Sequence, residues 1–330
     1  MQLQFTLVHK IYKINVMKNL RFVCAQPCIP YYTWQVEVMI HNFIEMGVNP
    51  NNIDIVCVKQ NREIPEVWNK LAETYNYIRF FFYDDTRRYK NYTSSIRPNV
   101  LKQHWEARPE LKNETIFYHD CDILFTKPIG EWISIEMVND DNWYGSDCRW
   151  YISHSYIKSK GDDIIKAMCA IAEIDETIVE DNELNGIGAQ YIMKGVDSEF
   201  WNKVEMDSEA LFVNISELNN IKKKENPAYH PIQIWCADMW AVLWNAWKLG
   251  KQTLCHKNLE FSWATSSIQL WNQLNIYHNA GVTNSQSKLF YKSDYMDKLP
   301  YNIVLDIDKN KASFYYWREI RKTAKKSILV

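Results

Sequence analysis

Phe117-Tyr118-His119-Asp120-Cys121-Asp122-Ile123-Leu124-Phe125 is the stretch on which the reading of this chain turns. Thr115 to Tyr118 is a short apolar run that predicts a buried strand, and Ile123 to Phe125 is apolar again. Between them stand two carboxylates at i and i+2, which point to the same side of the backbone. A solvated acidic turn rarely has apolar chain on both sides. In open α/β sheets, ligands lie beyond the carboxyl ends of the strands, and this acidic pair falls at such an end.

Upstream the sequence alternates strand and helix. Leu20 to Ala25 predicts a strand, Tyr31 to Met46 a helix stopped by Gly47, and Ile53 to Val58 a second strand. Glu66 to Tyr75 predicts a helix and Ile78 to Tyr83 a third strand, followed by a polar loop over Asp84 to Thr93. A helix over Pro98 to Arg108, with proline in its first turn, precedes the strand at Thr115. Strands and helices in alternation predict a mostly parallel sheet flanked by helices, an α/β fold.

The second half is less regular. It predicts a strand and loop over Trp143 to Ile152, a helix over Gly161 to Ile174, and a long helix over Ile232 to Leu249 closed by Gly250. Asn275 to Val282 reads as a strand with a polar end. From Asn302 the chain predicts a short strand and then a basic helix with Lys309, Lys311, Arg318, Arg321, Lys322, Lys325 and Lys326. The expected organisation is an N-terminal extension over 1–19, a catalytic domain over 20–295 and a small basic helical appendage over 296–330. Lys322, Lys325 and Lys326 read as a solvated charged face or as a contact for an acceptor or anionic surface.

Bulk properties narrow the function. A hydrophobic fraction of 47% and only 9 glycines and 10 prolines exclude wholesale disorder and long linkers. A net charge of −2 gives no support for a protein that lives on nucleic acid. The 8 cysteines lack the paired spacing of a zinc site and read as free buried thiols of a reducing compartment. The sequons at Asn91, Asn113 and Asn214 matter only in a secreted chain, and no signal peptide is visible. The most apolar later segment, 232–249, carries Gln233, Asp238, Asn245 and Lys248, which argues against a membrane span. A cytoplasmic location is the expectation; the oligomeric state is not legible.

Asp120 and Asp122 are suited to a hard divalent cation, Mn²⁺ or Mg²⁺, that bridges the oxygens of a nucleoside diphosphate. Asp120 can instead take a ribose hydroxyl of the donor. His278-Asn279-Ala280-Gly281, also at a strand end, offers a neutral imidazole as a third ligand. Lys288 and Lys292 follow it, and either can reach a diphosphate as a point charge. Gly188-Ala189-Gln190 is a small-residue turn where backbone can approach a sugar, or simply a structural turn. Asp238 lies among apolar residues, so it is either hydrogen-bonded structurally or free to orient a hydroxyl or act as a base. Of 14 tryptophans most belong in the core; Trp235 and Trp263 are the candidates for stacking on an acceptor sugar.

Together Asp120-Cys121-Asp122 and His278-Asn279-Ala280-Gly281 resemble the motifs of the GT-A type glycosyltransferases, which have a Rossmann-like sheet, a D-x-D pair and often a C-terminal histidine. Several retaining families place a lysine after an H-x-x-G; here Lys288 and Lys292 stand further downstream. The segments AQPCIPYYTWQVEV, SSIRPNVLKQHW, IGAQYIMK, IQIWCADMWAVLWNAW and FSWATS look like the family related to peptidyl-serine galactosyltransferases and hydroxyproline arabinosyltransferases. Those relatives are typically membrane-anchored, and no anchor is evident here. The resemblance implies that Gln26 borders the nucleotide base, that Arg97 meets donor phosphate or fixes its loop, and that Gln190 faces the anomeric carbon. It also implies transfer with retention.

The expected activity is metal-dependent transfer of a sugar from a nucleotide sugar, a UDP-sugar by expectation, to a hydroxyl of a glycan, protein, lipid or modified nucleobase. A nucleotidyltransferase is the enzyme alternative, but AQPCIPYY lacks the glycine-rich phosphate loop that such enzymes use. A non-catalytic carbohydrate-binding protein would suit the tryptophans and has no need for Asp120, Asp122 and His278 together.

Overall fold

A computed structural model describes residues 20–285 and 288–329. The expected extension over 1–19 lies outside the described residues. In chain order the principal elements begin with β1 (Leu20–Pro27), α1 (Pro30–Glu45), β2 (Ile53–Val58), α2 (Glu66–Thr74), β3 (Arg79–Tyr83) and α3 (Ile96–Ala107). There follow β4 (Thr115–Tyr118), β5 (Ile123–Phe125), β6 (Trp143–Asp147), α4 (Arg149–Ile152), α5 (His154–Lys158), α6 (Asp162–Ala172) and β7 (Ile187–Met193). The chain continues through α7 (Ser198–Glu225), α8 (Ala237–Lys248), β8 (Thr253–Cys255), β9 (Phe261–Trp263), β10 (Ile276–His278) and α9 (Ala312–Ala324). The fold is mixed α/β with mostly parallel strands and flanking helices, as the alternation in the sequence predicts.

The chain divides into two compact units. The first comprises the described residues of Met1–Asp84, Thr115–Asn139 and Lys257–Val330. Its strands β3, β2, β1 and β4 lie side by side and parallel, with Phe22 of β1 opposite both Ile53 and Phe117. Every residue of β2 and β4 is buried, which is why both read as unbroken apolar runs rather than alternating ones. The one charge in β2, Asp54, is buried and paired with Arg79 at 2.5 Å and Arg21 at 3.5 Å. Helix α1 starts on Pro30, whose missing N–H costs nothing at a first turn. It ends before Gly47, whose φ of +87° no side-chain-bearing residue adopts cheaply.

A second, three-stranded sheet in this unit has the order β5-β10-β9. Strand β10 runs antiparallel to β5 and parallel to β9. Helix α9 packs into the same core: Tyr316, Trp317 and Ile320 are buried with Trp34, Leu124, Tyr277 and Phe290. The segment between residues 302 and 310 forms no strand, although the sequence predicts a short one there. Its polar run Asp306-Ile307-Asp308-Lys309-Asn310 leaves only Ile307 to bury.

The second unit comprises Asp85–Glu114 and Asp140–His256. In it β6 pairs antiparallel with β7 and parallel with β8, and a register shift falls between Gly145 and Ser146. Helix α7 packs on α3, α6 and α8. It is capped by Asp197, which accepts from the Phe200 N–H at 3.2 Å, and its last turn carries Lys222, Lys223 and Lys224 against the negative end of its dipole. Three acids on it are buried. Glu205 accepts from Asn99 at 2.9 Å, Asp207 from Asn245 at 2.7 Å and Glu209 from Ser95 at 2.6 Å. All eight cysteines are free, and seven are buried. Among the described residues no helix is long and apolar enough to cross a membrane.

Candidate active site

The acidic pair occupies the turn that joins β4 to β5. His119 sets the geometry of that turn. Its ring is buried against Phe22, Phe43 and Phe117, and its Nδ1–H donates to the Asp120 carbonyl at 2.9 Å. Burial holds its pKa down to about 4, so the ring is neutral and structural. His278 arrives from far along the chain because β10 pairs with β5: His278 lies opposite Ile123, and the Asn279 N–H donates to the Asp122 carbonyl at 3.0 Å. Its Nε2 lies 3.2 Å from Asp122 Oδ1 and 3.5 Å from Asp120 Oδ2. Trp263, opposite His278 in β9, stacks on the imidazole with ring centroids 6.1 Å apart and planes 9° apart.

Lys292 completes this cluster, with its ammonium on Asp122 Oδ2. Burial alone would raise the Asp122 carboxyl; the Lys292 charge and the His278 ring outweigh it and hold it well below the usual carboxylate range. Burial would lower Lys292, but the charge of Asp122 outweighs it and keeps the ammonium above its ordinary value. The pair is therefore ionised. The carboxylate of Asp120 is about one-third exposed and that of Asp122 is covered, so the cluster opens on the Asp120 side.

The ligating atoms of Asp120, Asp122 and His278 all lie within 4.8 Å of one another. Two ligands about 2.1 Å from one small divalent ion stand at most about 4.2 Å apart. The imidazole–carboxylate distances of 3.2 and 3.5 Å fall inside that limit. Two carboxylates and one imidazole make an oxygen-rich set with one borderline nitrogen, a donor set open to a divalent cation. The residues fit a divalent metal.

Elsewhere in the first unit, Gln26 is buried at the end of β1; its amide donates to the Val56 carbonyl at 3.1 Å and Cys57 Sγ at 3.3 Å. Lys288 does not join the cluster. It is exposed and pairs with Asp306 at 3.1 Å.

The other residues singled out in the sequence lie in the second unit. Arg97 pairs with Asp238, and the Tyr92 hydroxyl donates to the same carboxylate at 2.7 Å. Sequence reading missed Tyr92, since no local pattern announces a partner so distant in the chain. Gly188, Ala189 and Gln190 form not a turn but part of β7, facing the register shift in β6. Gly188 has a packing reason: a Cβ there would come within 2.2 Å of Met239 Cε and 2.9 Å of Cys148 Sγ. Ala189 adopts a left-handed φ of 63°. Gln190 is fully buried, and its amide nitrogen donates to the Ser146 hydroxyl. Trp235 is exposed and stacks on Tyr151 at 6.3 Å.

No family model matches the chain, and no curated protein matches it by sequence. Solved structures similar to it include the bifunctional glycosyltransferase WbbM in its apo form, at 10% identity and a TM-score of 0.45, over 91% of this chain and 51% of that one. This chain thus spans about half the length of WbbM. The galactosyltransferase LgtC in complex with donor and acceptor sugar analogues is similar at 10% identity and a TM-score of 0.44, over 94% of this chain and 97% of that one. Mouse xyloside xylosyltransferase 1 is similar at 9% identity and a TM-score of 0.38, over 79% of this chain and 97% of that one.

Proposed function

We propose that the chain is a metal-dependent glycosyltransferase that binds its nucleotide-sugar donor through Asp120, Asp122, His278 and Lys292. The observation that carries the reading is the cluster itself: three ligating side chains from two sequence-distant strand ends, with an ammonium beside them. Asp120, Asp122 and His278 would hold a divalent cation, Mn²⁺ in this reading, which would neutralise charge on a leaving nucleoside diphosphate. Asp122, held ionised at low exposure, anchors the ligand set. Asp120, more exposed, can share itself with a ribose hydroxyl. Trp263 fixes the plane of the His278 ring. Lys292 stands beside the carboxylates with a charge that a phosphate oxygen can take. A UDP-sugar donor and retention of configuration belong to this reading through the family resemblance, as does a role for Gln190 toward the sugar. The acceptor is a hydroxyl on a glycan, protein, lipid or modified nucleobase.

The test is a panel of nucleotide sugars assayed for release of nucleoside diphosphate with Mn²⁺ and with EDTA. Mn²⁺-dependent release from at least one donor is expected. No release from any donor, with sugar binding intact, would move the chain to a non-catalytic carbohydrate binder. Proton NMR of the first-formed product reads retention directly.

A further inference from the structure

The second unit carries an open cleft of about 440 Å³, within the range of roughly 300–1,000 Å³ usual for small-ligand sites. It is lined by Arg149, Trp150, Ser153, Ser155, Tyr156 and Glu183, among others. Trp150 is 67% exposed at its edge, an unusual position for an indole without a partner to cover it. The ring packs edge-to-face on that of Tyr151, with centroids 4.4 Å apart. Tyr151 in turn stacks on the exposed Trp235.

The polar wall is also ordered. Glu183 accepts from the Ser155 N–H at 3.1 Å and from the Ser155 hydroxyl. The Ser155 and Ser153 hydroxyls lie 3.1 Å apart, and Ser153 caps α5 by accepting from the Tyr156 N–H at 3.3 Å. The Arg149 guanidinium is held on Asp147 through Nε at 2.9 Å and Nη2 at 2.5 Å. Gly186 lets this arginine lie close, since a Cβ there would meet Arg149 Cγ at 3.2 Å.

These features select one class of ligand. Asp147 offsets the charge of Arg149, and Glu183 offsets that of Lys160, whose ammonium lies 5.1 Å from the Tyr156 ring centre, so the cleft carries no excess positive charge to favour a phosphate or other anion. Its apolar surface comes from Trp150, Tyr156 and Leu184, set among Arg149, Ser153, Ser155 and Glu183, so no wholly apolar peptide is matched along it. A flat aromatic face beside fixed carboxylate, hydroxyl and guanidinium groups matches a pyranose. One side of such a ring is C–H and its rim is hydroxyl. We infer that this cleft is a binding site for a neutral saccharide, stacked on Trp150 and hydrogen-bonded to Glu183 and Arg149. It needs neither the metal cluster nor turnover. If the chain transfers sugars, the site favours a glycan among the possible acceptors.

The experiment is a titration of the full chain in EDTA, without nucleotide, with neutral di- to tetrasaccharides of gluco, galacto and xylo configuration. Tryptophan fluorescence and saturation-transfer NMR are the readouts. At least one saccharide should bind saturably. Trp150→Ala should abolish that binding, and Glu183→Gln should weaken it about tenfold, the value of one charge-assisted hydrogen bond. Asp122→Ala should leave it unchanged, which separates this site from the metal-dependent reading. No saturable binding by the folded wild type would overturn the inference, and so would binding indifferent to Trp150→Ala.

Discussion

Asp122 has two partners at once, the Lys292 ammonium and the His278 ring, and that double pairing sets what its replacement does. Asp122→Ala removes a metal ligand and also strands a cation, so a stability loss of about 1–3 kcal/mol should accompany the loss of Mn²⁺ affinity. Asp122→Asn keeps the shape and isolates the charge. Both should lose Mn²⁺ binding in calorimetric titration. His278→Ala should weaken it by about 10- to 100-fold, since water can take the place of one neutral ligand. A folded Asp122→Asn protein with wild-type Mn²⁺ affinity would remove the metal assignment. Asp120, Asp122 and His278 stood out in the sequence because strand-end carboxylates and a strand-end imidazole break apolar runs where packing gives no reason for them; Lys292 did not stand out from Lys288, since neither lies at a strand end. Trp263 over His278 was not legible as a brace, because that contact exists only once β9 and β10 pair.

At the scale of elements, β7 gives a sharp test. Gly188 reads in sequence as a place for a sugar, yet its lack of a side chain is also required by Met239 and Cys148. Gly188→Ala should therefore destabilise the fold by about 1–3 kcal/mol in urea unfolding, and Met239→Ala in the same chain should restore part of it, the contact with Cys148 remaining. If the double variant is no more stable than the single, packing is not the reason for this glycine. The strands β1, β2 and β4 were legible as buried apolar runs, β3 as a half-buried aromatic one, and their helices by the proline or glycine at their ends. Helix α7 was not. Its buried apolar residues Phe200, Trp201, Val204, Leu211 and Ile215 are interspersed with buried Glu205, Asp207 and Glu209, which weaken the stripe by which a helix is recognised. The charges of α9 had the opposite effect. They draw attention to its outer face, while Tyr316, Trp317 and Ile320 lie in the core. Beyond it, Ser327 donates at 2.7 Å to the buried carboxylate of Glu37, which also accepts from Tyr75 and Tyr301. Deleting residues after Arg318 should thus cost about 2–5 kcal/mol, chiefly through the cavity left by Ile320, and lower the melting temperature. An unchanged melting temperature would make this segment a true appendage.

For the whole molecule, the chain leaves the first unit at Asp85, returns at Thr115, leaves again at Asp140 and returns at Lys257. Such interleaving has no signature in composition, since no linker rich in glycine or proline marks the crossings. The proposed metal ligands and Lys292 nonetheless all belong to the first unit. Mn²⁺ with a nucleoside diphosphate should therefore slow amide exchange around Tyr118–Ile123 and Ile276–Asn279, and unchanged exchange there would speak against the site. If this cluster drives sugar transfer, turnover must depend on the Asp122 carboxylate. Release of nucleoside diphosphate from the best donor is compared, with saturating Mn²⁺, between the wild type and a folded Asp122→Asn protein. Mn²⁺-dependent turnover is expected in the wild type and a loss of about 1,000-fold or more in the variant, the several kcal/mol a metal supplies to a leaving diphosphate. Equal turnover in the two proteins would contradict it.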